Sequence, residues 1–188
     1  MRRPANNHSG FTLVELLVAI TLFSLVIGGA VNILFSSIAS QRRTLAQRQL
    51  ISEASFLQEY MGRAIRQAKK ELVTPATCLT GVGTGYNYEV TYSGQGLKFI
   101  NQQDQCEELY VDNGRLKEAL DGVSQFLTPD EITVADLKFF VTGAGQTDNL
   151  QPKVTFYLDL KTAGQKAESQ VELKTQTTIS ERRIDAER

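Results

Sequence analysis

The residue with most scope for chemistry is a glutamate in an unfavourable place. Glu15 sits at the head of the longest apolar run in the chain, and from Leu16 to Phe35 no residue is charged. Those twenty residues would span roughly 30 Å as a helix, the thickness of a bilayer core. A carboxylate at the edge of such a run costs less than one at the centre, where the cost is about 2.5–3.5 kcal/mol, and it usually marks function. Its chemistry is charge pairing with a cation, not acid–base catalysis. The bland reading is a side chain that snorkels to the headgroups.

Other reactive types are few. The single histidine, His8, lies in the polar N-terminal stretch, so the rest of the chain has no His-based triad or metal site. Carboxylates abound without a spacing that singles out a catalytic pair. Two cysteines, Cys78 and Cys106, exclude a zinc finger, an iron–sulfur cluster and a disulfide-dense miniprotein. They read as one disulfide in an exported chain and as two free thiols in a cytosolic one. Asp148-Asn149 in a Gly-rich loop offers too few ligands for calcium and reads as a capped turn. Gly81-Val82-Gly83-Thr84-Gly85 has no Lys-Ser/Thr after it and no helix, so it reads as a turn and not a phosphate loop. No metal or cofactor is expected. Lys plus Arg total 20 and Asp plus Glu 21 in 188 residues, scattered without a basic stripe, so nucleic-acid binding is not indicated.

The elements that position Glu15 begin with the run itself. Residues 1–10 are polar and basic through Arg2 and Arg3, which favours a cytoplasmic N-terminus; Arg42 and Arg43 partly oppose this. Three readings compete. Ser37-Ile38-Ala39 would suit a signal-peptide cut after Ala39, but the apolar run is longer than an ordinary signal core. A plain signal anchor explains the length and leaves Glu15 without a role. A peptidase cutting after Gly10, on the cytoplasmic side, uses every feature.

Here the residues carry a resemblance. Gly10-Phe11-Thr12-Leu13-Val14-Glu15-Leu16 is similar to the G-F-T-L-x-E-L signature of type IV pilins and pseudopilins. The resemblance implies cleavage of the Gly10–Phe11 bond by a prepilin peptidase and methylation of the new amine on Phe11. It implies that Glu15 pairs with the N-terminal amine of a neighbouring subunit and sets its register. The implied partners are the prepilin peptidase, other major and minor pilins or pseudopilins, and the inner-membrane assembly platform. The implied place is the bacterial inner membrane, single-pass, with the head outside the cytoplasm, and then the filament. Under that topology Cys78 and Cys106 are expected to be bonded. The implied protein is a structural subunit and not an enzyme.

Beyond the membrane run, Leu50, Ala54, Leu57, Met61, Ala64, Ile65, Ala68 and Leu72 recur at spacings of three and four, one face of an amphipathic helix. Thr74-Pro75 stops it, so one helix is expected from about Phe11 to Leu72. Gly28-Gly29 reads as a small-residue packing notch in preference to a melting point. After Pro75 the alternation of Tyr86, Tyr88, Val90 and Tyr92 reads as a strand. Strands are expected also at Leu97–Ile100, Glu107–Val111, Arg115–Glu118, Ile132–Val141, Lys153–Lys161 and Gln170–Ile179. Asp112-Asn113-Gly114 marks a hairpin. The expected class is α+β, an antiparallel sheet packed on a long N-terminal helix.

The expected parts are a leader at 1–10, a membrane and filament-core helix at 11–40, the amphipathic half at 41–74 and the β head at 75–188. Segments such as Glu131–Phe140, Gln151–Val154 and Thr177–Arg182 are similar to the ends of large minor pseudopilins of the J or W type, which help start assembly. The rival reading is a membrane-anchored periplasmic binding module, or a pilin whose head binds a ligand as an adhesin.

Overall fold

The computed structural model describes residues 10, 12–144, 150–163 and 170–181. The chain forms two compact units, residues 1–42 and 43–188. The class is α+β: among the described residues, helix α1 (Leu13–Arg66) is followed by eight strands in two antiparallel sheets.

In the first unit α1 carries Leu16, Leu17, Ile20, Leu22, Phe23, Leu25 and Ile33, all exposed. The helix is long and apolar enough to cross a membrane. The hydroxyls within the run are satisfied by their own helix. Thr21 Oγ1 donates to the Val18 carbonyl and Ser24 Oγ to that of Ile20, both at 2.8 Å. That internal pairing is what a segment without water contacts requires. A Cβ added at Gly28 or Gly29 meets nothing within 4 Å, so the pair leaves an open surface.

The second unit is the head. Five strands run β1 (Tyr88–Thr91), β2 (Gly96–Ile100), β3 (Cys106–Asp112), β4 (Arg115–Leu120) and β5 (Val123–Phe126), each paired with the next. Three more, β6 (Ile132–Thr142), β7 (Lys153–Thr162) and β8 (Glu172–Ser180), form a second sheet in the same order. The Val134 amide donates to the Gly114 carbonyl at 2.7 Å and ties β6 to the β3–β4 turn. That turn needs left-handed backbone at Asn113 (φ 50°) and Gly114 (φ 73°), the preference of Asn-Gly.

The core lies between the helix and the sheets. Leu50, Ala54, Leu57, Met61 and Ile65 of α1 pack with Tyr88, Leu97, Phe99, Leu109, Leu116, Leu137, Phe156 and Leu158. Alternation along β7 buries Val154, Phe156, Leu158 and Leu160. Full burial of one such side chain contributes about 1.5–3 kcal/mol. Gln58 of α1 donates to the hydroxyls of Thr175 and Thr177, which anchors edge strand β8.

The structure differs from the expected layout in three ways. The head has two sheets where one was expected. A strand not foreseen, β5, follows a second left-handed turn at Asp121 (φ 48°) and Gly122 (φ 86°). And α1 ends at Arg66, six residues before Leu72. The Gln67 and Ala68 amides turn inward at 3.2 Å to the Ala64 and Ile65 carbonyls, and the Tyr88 hydroxyl donates to the Ile65 carbonyl at 2.7 Å. The chain then pairs with β2 and with the segment before β1: Lys69 N–H with the Ile100 carbonyl and Glu71 N–H with that of Tyr86, both at 2.8 Å. Ala68 is buried as expected, whereas Leu72 is 76% exposed.

Candidate functional site

The N-terminal segment is built by Thr12. Its Oγ1 accepts the Glu15 amide at 3.3 Å, and its carbonyl accepts the Leu16 amide at 3.2 Å. This is the helix cap, and Thr12-Leu13-Val14-Glu15 has the T-x-x-E spacing of a capping box. Glu15 therefore lies in the first helical turn, where the helix dipole favours an anion. The sequence reading gave Thr12 no role; the T-x-x-E spacing before an apolar run was the signal for it. Among the described residues no cation meets the Glu15 carboxylate. Its neighbours Leu13, Val14, Leu16, Leu17 and Val18 are apolar and exposed. Gly10 is exposed. Phe11, the expected site of cleavage and methylation, lies outside the described residues, as do His8, Arg2, Arg3 and Asp148-Asn149.

In the head, Cys78 and Cys106 form a disulfide with Cα atoms 5.4 Å apart. It staples the segment after α1 to the start of β3 and closes a loop with a sequence separation of 28. Glu71 organises the same segment. It is fully buried, and its carboxylate accepts the amides of Val73 (3.2 Å), Thr77 (3.3 Å), Cys78 (2.9 Å) and Leu79 (3.4 Å). Burial alone would raise its pKa; the bonds from Cys78, Val73, Leu79 and Thr77 outweigh burial and hold it below the usual carboxylate range. A cleft of about 490 Å³ opens beside the disulfide, and Lys69 pairs with Asp104 there at 2.5 Å.

A pair of buried acids faces α1 from β3 and β4. Glu118 accepts the Tyr60 hydroxyl and, at 2.8 Å, Gln125 Nε2. Glu107 accepts Asn101 Nδ2 at 3.2 Å on one oxygen; the other has no donor. Burial, then the charge of Glu118, pushes Glu107 up to about 7. One proton between two carboxyls accounts for this arrangement without a cation. Among the described residues no group of three or more His, Cys, Asp or Glu side chains gathers as a metal site. The head thus offers buried acids with structural partners, whereas the N-terminal segment offers an exposed anion on an apolar helix.

Comparison with known proteins bears on that segment. The prokaryotic N-terminal methylation motif matches residues 5–31. No curated protein and no solved structure matches the chain. The motif supports a type IV pilin-like protein processed by prepilin peptidase, and the one apolar N-terminal helix fits a single-pass membrane anchor. The matched motif is the one that type IV pilins and pseudopilins, a structural family, carry at their N-termini.

Proposed function

We propose that this protein is a minor pilin or pseudopilin of the J or W type, a structural and assembly-initiating subunit of a type IV filament, either a pilus or a type II secretion pseudopilus. The peptidase cuts Gly10–Phe11 and the amine of Phe11 is methylated. The mature chain then waits in the inner membrane, N-terminus cytoplasmic and head outside, held by residues 11–40. Residues 41–74 join that segment to the head at 75–188. The assembly platform and sister subunits draw it into the filament.

One observation carries this reading: a carboxylate without a cation partner among the described residues, Glu15, stands on the first turn of an exposed apolar helix, five residues after Gly10 in the sequence. A desolvated anion attracts an opposite charge strongly and is penalised without one. The incoming amine of a neighbouring subunit supplies that charge as the helix leaves lipid. The lipid contacts of the helix are replaced by contacts with neighbouring helices.

The test is the N-terminal sequence and intact mass of the protein from its native membrane. A chain starting at Phe11 and one methyl heavier supports the reading. A chain starting at Met1 beside an active peptidase, or at Ser40 after a cut behind Ala39, overturns it.

A further inference from the structure

The outer face of the five-stranded sheet, away from the core, carries an aromatic row. The register sets Gly96 of β2 beside Tyr110 of β3, Lys117 of β4 and Phe126 of β5. Tyr92, just after β1, folds back over the Gly96 end and stacks on Tyr110, with centroids 5.1 Å apart and planes at 22°. Gly96 makes room for it. A Cβ there would lie 2.6 Å from Tyr92 Cδ2 and 2.3 Å from Thr91 Oγ1.

The backbone is strained to present this ring. Tyr92 (φ 48°) and Ser93 (φ 53°) are consecutive left-handed residues, and neither is Gly, Asn or Asp. Such conformations cost free energy and persist where the surroundings impose them, often at functional positions. The core gains little in return, since Tyr92 remains 56% exposed.

The two ends of the row differ in charge. At the far end the protein's own cations cover Phe126: Arg115 Cζ lies 3.9 Å from its centroid and Lys117 Nζ 4.5 Å. Lys117 is also held by Asp112 at 2.6 Å. Over the Tyr92–Tyr110 end no cation–π contact occurs among the described residues. Burial, and after it the charges of Glu108, Tyr110 and Asp112, raise the pKa of the Tyr92 phenol. The Thr91 hydroxyl donates to Glu108 Oε1 at 2.8 Å. No donor reaches Oε2 among the described residues, and Lys98, opposite Glu108 in the register, makes no ion pair with it.

We propose that the stacked Tyr92–Tyr110 pair and Glu108 form a docking site for an arginine side chain of a partner protein. A planar guanidinium lies on the exposed ring face of Tyr92 and donates to the free oxygen of Glu108, as Arg115 already lies on Phe126. Asp112 is already paired with Lys117, so the Glu108 carboxylate is the group that complements a cation here. Gly96 and the Tyr92–Ser93 turn pre-form the platform. This site is separate from the N-terminal segment and stands whether or not the filament reading does.

The test uses the full chain in detergent micelles with ring-labelled tyrosine. The probe is acetyl-Gly-Arg-Gly-amide, and its neutral isostere acetyl-Gly-citrulline-Gly-amide is the control. Saturable shifts of the Tyr92 and Tyr110 ring resonances with the arginine probe only are expected. Tyr92→Phe keeps the shifts of Tyr110, and Tyr92→Ala abolishes them. Glu108→Gln, which leaves the stack in place, weakens the arginine probe roughly two- to fivefold, the range of an exposed cation–π or ion-pair contact. Absence of saturable shifts, equal response to the citrulline probe, or unchanged affinity in Glu108→Gln would each overturn the proposal.

Discussion

The Tyr60 hydroxyl of α1 donates to Oε1 of Glu118 on β4, a polar clasp across the seam between helix and sheet. Glu118 is 1% exposed, and Glu107 lies beside it on β3. Burial, then the charge of Glu118, favours the protonated form of Glu107.

This makes head stability depend on pH. The folded-state pKa of Glu107 is raised to about 7, against 4.5 for a free side chain. A carboxyl with a raised folded pKa binds more protons folded than unfolded. Its contribution is fully present below pH 4.5 and is lost as pH climbs through about 7. Glu107→Gln mimics the protonated form. It is expected to match the parent chain at pH 4.5 and to exceed it by roughly 1–2 kcal/mol at pH 8, within the ~1.4 kcal/mol per pH unit that one group supplies. Denaturant midpoints across that window measure it. An equal offset at both pH values would refute the assignment.

Glu71 has the opposite sign. Burial raises its pKa, but four backbone amides outweigh that and lower it, so its contribution is present above the ordinary carboxylate range and fades in acid. Glu71→Gln keeps the shape and turns one acceptor into a donor facing amides. The expected loss is about 1.5–3 kcal/mol near neutral pH, the range of a hydrogen bond to a charged group, and it shrinks as pH falls. Chemical denaturation of the variant at pH 7 and pH 3 decides it. A loss that does not change with pH would mean packing, and not the charge, holds the 71–79 segment.

The disulfide closes the same segment onto β3. In the chain-entropy model a loop of this length stabilises by about 3–4 kcal/mol. Replacing both cysteines by serine is expected to lower stability by about that amount, while Glu71 holds the segment and the fold persists. Intact-mass analysis with and without reductant, followed by thermal melts, reads both parts. Two free thiols in protein from its native compartment would remove the bond from the account.

Much of this was legible in the chain, for physical reasons that also explain the misses. The face Leu50, Ala54, Leu57, Met61, Ile65 has one period and one buried side, and it appears as read. The Asn113-Gly114 hairpin and the β7 alternation were equally local. The end of α1 was not local: the Tyr88 hydroxyl and the Ile100 and Tyr86 carbonyls, all distant in sequence, draw residues 65–71 out of the helix. Strand β5 is exposed along its whole length, so Val123-Ser124-Gln125-Phe126 shows no alternation. Its Asp121-Gly122 turn was the signal that was overlooked. A Cβ at Gly62 would meet Ile179 Cδ1 of β8 at 3.3 Å, a contact between residues far apart in the chain. Pairing of Glu107 with Glu118 depends on strand register, which composition does not reveal. In the N-terminal segment Gly10 and Glu15 were evident from type and spacing, whereas Thr12 emerged only with its cap.

The N-terminal segment yields the sharpest prediction, because two roles of Glu15 can be separated. As a first-turn residue it interacts with the helix dipole, worth about 0.3–1 kcal/mol at an exposed site. As a charge for an incoming amine it acts only between subunits. Glu15→Gln keeps size and hydrogen bonding and removes the charge; Glu15→Asp keeps the charge on a shorter arm. If the pairing reading holds, Glu15→Gln and Glu15→Ala are cut after Gly10 at the normal rate and accumulate in the membrane. Incorporation into filaments falls at least tenfold, the effect of about 1.4 kcal/mol lost at assembly. Glu15→Asp recovers part of it. Fractionation of membrane and sheared filament, with the mature N-terminus checked in each pool, gives the result. Normal incorporation of Glu15→Gln would confine Glu15 to the dipole and the headgroups. A failure of cleavage would place its role at the peptidase and not in the filament.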